Sequence, residues 1–216
     1  MLKNNGLTIV LLLMFAVCIG GQWIAGWHVA NEDAARHGQA LMSLSAYAMS
    51  PEFLSSVFEN WESEFLQMSF YVVLTAFLVQ RGSAESKDPD ESPRDRNLDI
   101  QAFQPGAPRI LRWGPLWRAL YAQSLGIALG LLFILSFIVH WSQSARVAAQ
   151  EALEHGQAAP TLIAYLGDAQ LWFESFQNWQ SEFLSTAALI LLSIVLRQRE
   201  SPESKPVAAP HGQTGA

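Results

Sequence analysis

Residues 58–66 read FENWESEFL, and the chain repeats this stretch as FQNWQSEFL at residues 176–184. Asn60 thereby aligns with Asn178, a shift of 118 positions, and both copies lead into an apolar segment that ends in Gln-Arg. The same shift aligns further matches without a gap: His37-Gly38-Gln39 with His155-Gly156-Gln157, Tyr47 with Tyr165, Trp23 with Trp141, and Ser86-Lys87 with Ser204-Lys205. A fixed internal period identifies a repeated structural unit. The sequence therefore predicts two copies of one unit.

The composition favours a membrane protein over a soluble one. Hydrophobic residues make up 50% of the 216 residues and charged residues only 15%, and the apolar residues are bunched into long runs. Such runs are typical of membrane spans. The net charge of −6 argues against a nucleic-acid partner, which would require a basic surface. Cys18 is the only cysteine, which excludes an internal disulfide and a Cys-x-x-Cys motif.

The first apolar run, residues 7–27, contains 21 residues without a charge. At a rise of about 1.5 Å per residue it is long enough to cross a hydrocarbon core of about 30 Å. A secretory signal peptide is the competing interpretation, because Lys3 precedes the run. The equivalent run in the second copy, residues 120–141, lies in the middle of the chain, where a signal peptide has no place. We therefore expect the first span to be retained.

A second helix is predicted to begin at Ser50-Pro51-Glu52, which supplies an N-cap, a proline at N1 and an acid in the first turn. Asp168 takes the place of Ser50 in the second copy. Residues 61–79 then form a span of 19 residues, and the equivalent stretch begins at Trp179. The helices are predicted to extend beyond the membrane on the side of these N-caps.

Four regions follow from the repeat. The predicted boundaries are a first two-span repeat at 5–87, a cytoplasmic linker with an interfacial segment at 88–119, a second two-span repeat at 120–205, and a disordered tail at 206–216. Residues 82–107 and the tail are poor in large apolar residues, as disordered segments are. Between residue 107 and the third span, RILRWGPLWRAL alternates arginine with tryptophan, which is typical of an interfacial segment at an anionic membrane surface.

The distribution of basic residues predicts the orientation. With four spans, all but Arg36 and Arg146 of the 13 lysines and arginines lie on the side of the termini and the linker. By the positive-inside rule, both termini and the linker are cytoplasmic. We therefore predict an all-α membrane protein with four transmembrane helices, arranged as two tandem parallel-repeat hairpins extended on the periplasmic side.

Asn60 and Glu64 are the candidate polar site of the first copy, with Asn178 and Glu182 in the second. Each pair is spaced i, i+4 and so shares one helix face. Ionisable groups close to hydrocarbon are costly and usually functional, which favours an ion or proton site. The alternative is structural, with the four side chains hydrogen-bonding neighbouring helices.

His37 and His155 are weaker candidates. They lack the spaced histidines, acids or cysteines of a metal site, so no metal is predicted, and a position at a helix C-terminus explains them better. No nucleophile elbow, phosphate-binding loop or dinucleotide fingerprint occurs in the sequence. We predict no catalytic residue and no cofactor.

The motifs NNGLTIVLLLMF, HGQ and FENWESEFLQM together resemble a family of uncharacterised bacterial membrane proteins, a domain of unknown function. The resemblance implies a multi-pass protein of the bacterial inner membrane and no particular activity.

Two functions remain open from the sequence. The first is a non-enzymatic structural or interaction module of the envelope, whose partners are the lipid bilayer and other membrane proteins or further copies of the chain. The alternative is a small transporter or channel that uses the paired Asn-Glu sites. The lack of catalytic motifs and the sparse polar residues below Glu64 favour the first.

Overall fold

The structure of the protein, a computed structural model, describes residues 2–91 and 95–215, and the regular secondary structure of these residues is helical. The α-helices there are α1 Leu2–Arg36, α2 Leu44–Tyr47, α3 Pro51–Phe77, α4 Leu98–Gln101, α5 Pro115–Ala122, α6 Ser124–Glu154, α7 Leu162–Tyr165 and α8 Ala169–Val195, with a 3-10 helix at Arg109–Arg112. No strand occurs in these residues, which confirms the predicted all-α class. Residues 92–94 of the predicted linker and Ala216 of the predicted tail lie outside the described residues.

Two of the described helices are long and apolar enough to cross a membrane. They are Asn4–Arg36 and Ser124–Glu154, with 33 and 31 residues. The first contains the predicted span 7–27, and the second contains residues 124–141 of the predicted span 120–141, whose first residues belong to α5. The second and fourth predicted spans begin in α3 and α8, and the second runs two residues past the end of α3 at Phe77. Both helices carry acids in their first halves, and these two spans stay a prediction.

The local structure of the two sequence copies is closely matched. α3 and α8 each have 27 residues and begin 118 positions apart, as α2 and α7 do. The same hydrogen bonds recur at equivalent positions, with Trp23 Nε1 donating to Leu44 O at 2.9 Å, Trp141 Nε1 to Leu162 O at 3.0 Å, and Ser43 and Thr161 capping α2 and α7 at 3.2 Å. Equal sequence has therefore produced equal local structure in both copies.

The chain forms two compact units, one of Met1–Phe58 with Val139–Asp168 and the other of Glu59–Ile138 with Ala169–Ala216. In the first unit, the end of α1 is bound to the loop before α2. Trp27 Nε1 donates to Met42 O at 2.8 Å. The Asn31 amide pairs with both backbone groups of Met42, at 3.0 and 2.8 Å.

Gly26 of α1 lets the buried Tyr47 ring approach the helix. A methyl group at this position would overlap the Tyr47 hydroxyl and lie 3.0 Å from two ring carbons. Tyr47 is buried against Phe53, with ring centroids 5.4 Å apart, so the ring has little room to move. We expect Gly26→Ala to lower the free energy of unfolding by about 2 kcal/mol, the usual cost of overpacking.

Gly20→Ala is the matched control, because nothing lies within 4 Å of a methyl group there. Alanine is the better helix former, so this variant is expected to gain about 0.5 kcal/mol. Thermal melting followed by circular dichroism measures both. Equal stability of the two variants would contradict the packing argument.

The second unit brings α3, α6 and α8 together. Gly126 of α6 lies against Val73 of α3, so closely that an added methyl group would be 3.2 Å from the valine. Small residues allow helices this close approach. Phe70 of α3 meets Phe183 of α8 edge to face, with ring centroids 5.8 Å apart. In the second unit, α3 therefore contacts α6 at Gly126 and α8 at Phe183.

The predicted interfacial segment contains the 3-10 helix and α5. Trp113 and Trp117 are exposed and pack edge to face, with ring centroids 5.7 Å apart, and the membrane-surface role of the segment stays a prediction. Arg118 differs from the other arginines of the segment. It is largely buried, forms an ion pair with Asp99 and donates to Leu111 O at 3.2 Å. The guanidinium group of Arg118 is therefore bound by other residues of the protein.

Candidate functional site

The predicted Asn-Glu pairs of α3 and α8 are only partly brought together. Asn60 and Glu64 are exposed on α3, while Glu182 is half-buried on α8. Glu64 and Glu182 lie close enough for their charges to repel each other. Asn178 makes different contacts, donating to Glu59 Oε1 at 2.5 Å and to Glu174 O at 3.2 Å. Asn178 therefore links α8 to α3 through Glu59, whereas the sequence pairs it with Glu182, four residues later in α8.

Glu62 is the most deeply buried acid of the site, and the sequence did not single it out. Its side chain has no exposed surface, and its Oε1 accepts a hydrogen bond from Trp179 Nε1 at 2.9 Å. Glu59, three residues earlier, is on the same face of α3 and accepts from Asn178. Two acids of the first copy are therefore bound by two adjacent residues of the second.

A sequence difference between the two copies could have indicated this contact. Glu59 and Glu62 align with Gln177 and Gln180 in the second copy, although the motif around them is retained. By itself, this difference is evidence against a chemical role that both copies share. It also marks where the two copies make unlike contacts, because a heterologous contact needs different residues on its two sides.

An aromatic cluster surrounds the Glu62–Trp179 hydrogen bond. Trp179 packs edge to face against Phe176, Trp172 and Phe133, with ring centroids 5.4, 6.4 and 6.2 Å away. Burying a carboxylate is costly unless it accepts hydrogen bonds, and an indole N–H is a donor only. The cluster therefore holds a buried acceptor and its donor in fixed positions, which suits helix packing better than exchange with a passing ion.

His37 and His155 lie just after α1 and α6, where both are exposed. Their Nδ1 atoms lie 2.9 Å from Asp33 O and 2.7 Å from Glu151 O. A carbonyl oxygen only accepts, so each Nδ1 carries a proton and donates it to the last turn of its own helix. The next residue of each copy is a glycine at φ +67°, the conformation that ends a helix.

A half-open cavity of about 350 Å³ lies between α3 and α8 in the second unit. Most of its lining is apolar, including Phe70, Leu74 and Ile190. At one end, the Tyr71 hydroxyl donates to Glu85 Oε2 at 2.5 Å. Gln67 and Thr186, also in the lining, hydrogen-bond each other across the two helices.

Glu85 also shares a hydrogen bond with the carboxyl group of Glu203. The two acids are equivalent in the two copies, since they lie 118 positions apart. Burial raises the pKa of Glu85; the hydrogen bond from Tyr71 opposes this effect, and the hydrogen bond and charge of Glu203 add to it. The pair therefore retains a proton more readily than an isolated glutamate.

This raised pKa predicts a pH effect on stability. An acid with a raised pKa in the folded state stabilises the protein fully below its usual pKa, and this contribution is lost as the pH rises through the raised value. We expect the melting temperature of the wild type to fall relative to that of Glu85→Gln as the pH rises above the usual pKa of a glutamate, about 4. Glu91→Gln, an exposed glutamate of the linker, is the control. A difference in melting temperature between wild type and Glu85→Gln that is the same at all pH values would contradict the raised pKa of Glu85.

Lys205 binds the end of the chain to the turn after α3. Its side chain is fully buried, and Nζ donates to Gly82 O at 2.6 Å, His211 O at 2.8 Å and Gln213 O at 3.0 Å. Gly215 N donates to Ser83 O at 2.9 Å. The sequence predicts a disordered tail, whereas residues 206–215 are folded around this ammonium group. The prediction of disorder rests on the composition of the tail alone. Composition does not show the hydrogen bonds that Lys205 makes with backbone carbonyl oxygens.

Comparison with known proteins adds a family and no activity. The sequence model of one family, Domain of unknown function (DUF6766), matches residues 1–216. No curated protein and no solved structure matches the chain.

Proposed function

Because the chain belongs to the DUF6766 family, a domain of unknown function, we propose its role from the geometry: it is a multi-pass protein of the bacterial inner membrane that acts as a non-enzymatic structural or interaction module. The observation that carries this proposal is the buried Glu62, bound by Trp179 of the other sequence copy. A carboxylate satisfied in this way joins helices and is not available to a substrate.

The proposed architecture has four spans in two tandem hairpins. α1 and α6 supply the first and third spans, for which their length and hydropathy are sufficient. α3 and α8 supply the second and fourth, and their equal lengths and equal spacing support equal roles. The distribution of basic residues supports a cytoplasmic location of both termini and the linker.

A pseudo-twofold axis between the hairpins is supported by two pairs of equivalent acids. Glu64 lies near Glu182, and Glu85 is hydrogen-bonded to Glu203. Residues that a twofold rotation exchanges meet each other only close to the axis. Both pairs therefore fit parallel hairpins with an axis along the membrane normal.

Cysteine labelling tests the topology. In a Cys18→Ser background, Ala107→Cys lies in the linker and Ala158→Cys in the loop of the second hairpin. A membrane-impermeant maleimide added to intact cells is expected to label the second variant, and the first only after the membrane is opened. Labelling of both from the same side would disprove the hairpin arrangement.

A transport function is the second candidate, favoured by the closeness of Glu64 and Glu182. The structural role predicts that proteoliposomes with the wild-type protein show no more ion flux than empty ones. It also predicts that Glu64→Gln/Glu182→Gln melts at or above the wild-type temperature, because the substitutions remove a repulsion between like charges. Flux that this double variant abolishes, with folding intact, would establish transport instead.

A further inference from the structure

The cavity between α3 and α8 has the size and chemistry of a small-molecule site. Its volume of about 350 Å³ lies at the lower end of the range of about 300–1,000 Å³ usual for ligand pockets. Such sites have mostly apolar walls and a few polar groups that fix orientation. Here the walls include Phe70, Phe183 and Ile190, and the polar group is the Tyr71–Glu85 hydrogen bond.

The charge of the cavity has one sign. Of the described residues that line it, only Glu85 is formally charged, and Glu203 reinforces that carboxylate from outside the lining. A cation bound beside Glu85 favours the ionised form of its carboxyl group. Tyr71 holds Glu85 at the end of the apolar walls.

We propose that the cavity between α3 and α8 binds a hydrophobic monovalent cation, with its apolar groups against Phe70 and Phe183 and its charge at Glu85. The argument is charge complementarity: an apolar anion would be repelled by the carboxylate, and a neutral amphiphile would leave it without a counter-ion. The small volume suits one compact ligand and excludes the paired chains of a bilayer phospholipid. Aromatic faces add attraction for a cation. This inference goes beyond the proposed structural role and does not rest on it.

Tetraphenylphosphonium and tetraphenylborate are the probes, because they share one shape and carry opposite charges. The full-length protein is placed in lipid nanodiscs, and binding is measured by equilibrium dialysis against empty nanodiscs of the same lipid. We expect saturable binding of the phosphonium above its partition into lipid, and no saturable binding of the borate.

Two variants assign the binding to the cavity. Glu85→Gln is expected to weaken phosphonium binding about tenfold, the effect of losing one charged contact at a partly exposed site. Ala187→Phe, which adds a ring to the cavity lining, is expected to abolish binding. Glu91→Gln, which removes one exposed negative charge, serves as the matched control and should bind as the wild type does.

Thermal melting of each variant shows that it is folded. Saturable binding of the borate with equal affinity, or phosphonium binding unchanged in both Glu85→Gln and Ala187→Phe, would overturn the proposal. Absence of saturable phosphonium binding to the wild type would overturn it as well.

Discussion

Glu62→Ala is expected to lower the free energy of unfolding by about 3 kcal/mol. The substitution leaves the indole N–H of the half-buried Trp179 without its carboxylate acceptor. An unsatisfied buried donor costs about 1–3 kcal/mol, and the space left by the side chain adds to that cost. Because Glu62 is fully buried, surrounding structure has to move before water replaces the carboxylate.

Thermal melting followed by circular dichroism measures this loss, which corresponds to roughly 8 °C for a chain of this size. Glu64→Ala is the matched control on the same helix, since Glu64 is exposed. Glu62→Gln should fall between the two, because its amide oxygen still accepts from Trp179. A melting temperature of Glu62→Ala equal to that of Glu64→Ala would show that the buried carboxylate contributes nothing to folding.

Lys205→Met is expected to release residues 206–215 from the turn after α3. Three carbonyl oxygens, of Gly82, His211 and Gln213, lose their charged donor at once. Hydrogen bonds to a charged group contribute about 1.5–3 kcal/mol each. A net loss equal to only one such bond raises the population in which the tail is open about tenfold to a hundredfold, and a larger net loss raises it further.

Hydrogen exchange resolved by mass spectrometry reports this opening directly. The amide of Gly215, which donates to Ser83 O, should lose its protection in Lys205→Met, while amides in the middle of α8 keep theirs. Lys87→Met is the matched control, because Lys87 is the equivalent residue of the first copy, is exposed and donates to Ala76 O alone. Exchange of the tail at the wild-type rate in Lys205→Met would refute the proposed attachment.

Local signals in the chain predicted the helices well. The Ser50-Pro51-Glu52 start gives α3 from Pro51, and the HGQ triplets follow the ends of α1 and α6. Caps, proline positions and apolar spacing act within a few residues, so they can be recognised without knowledge of the rest of the fold. The all-α class follows from the same signals.

The polar contacts were predicted less well. Asn178 was paired with Glu182 by spacing along one helix, but its amide binds Glu59 of α3. Spacing shows which residues share a helix face, whereas the rotation and offset between two helices decide which of them meet a partner. Glu62 was set aside because the equivalent residue of the second copy is Gln180.

Some features of this protein are determined by its sequence alone, and others only by its tertiary structure. The duplicated motif, the helix boundaries and the apolar stretches can be read from residues close together in the chain, because they depend on backbone propensity and local hydropathy. The Glu62–Trp179 bond, the Glu85–Glu203 pair and the buried Lys205 join residues more than a hundred positions apart, except for the shorter links of Lys205 to His211 and Gln213. Such contacts depend on how helices pack in three dimensions, and burial there determines whether a charge is solvated or must find a partner.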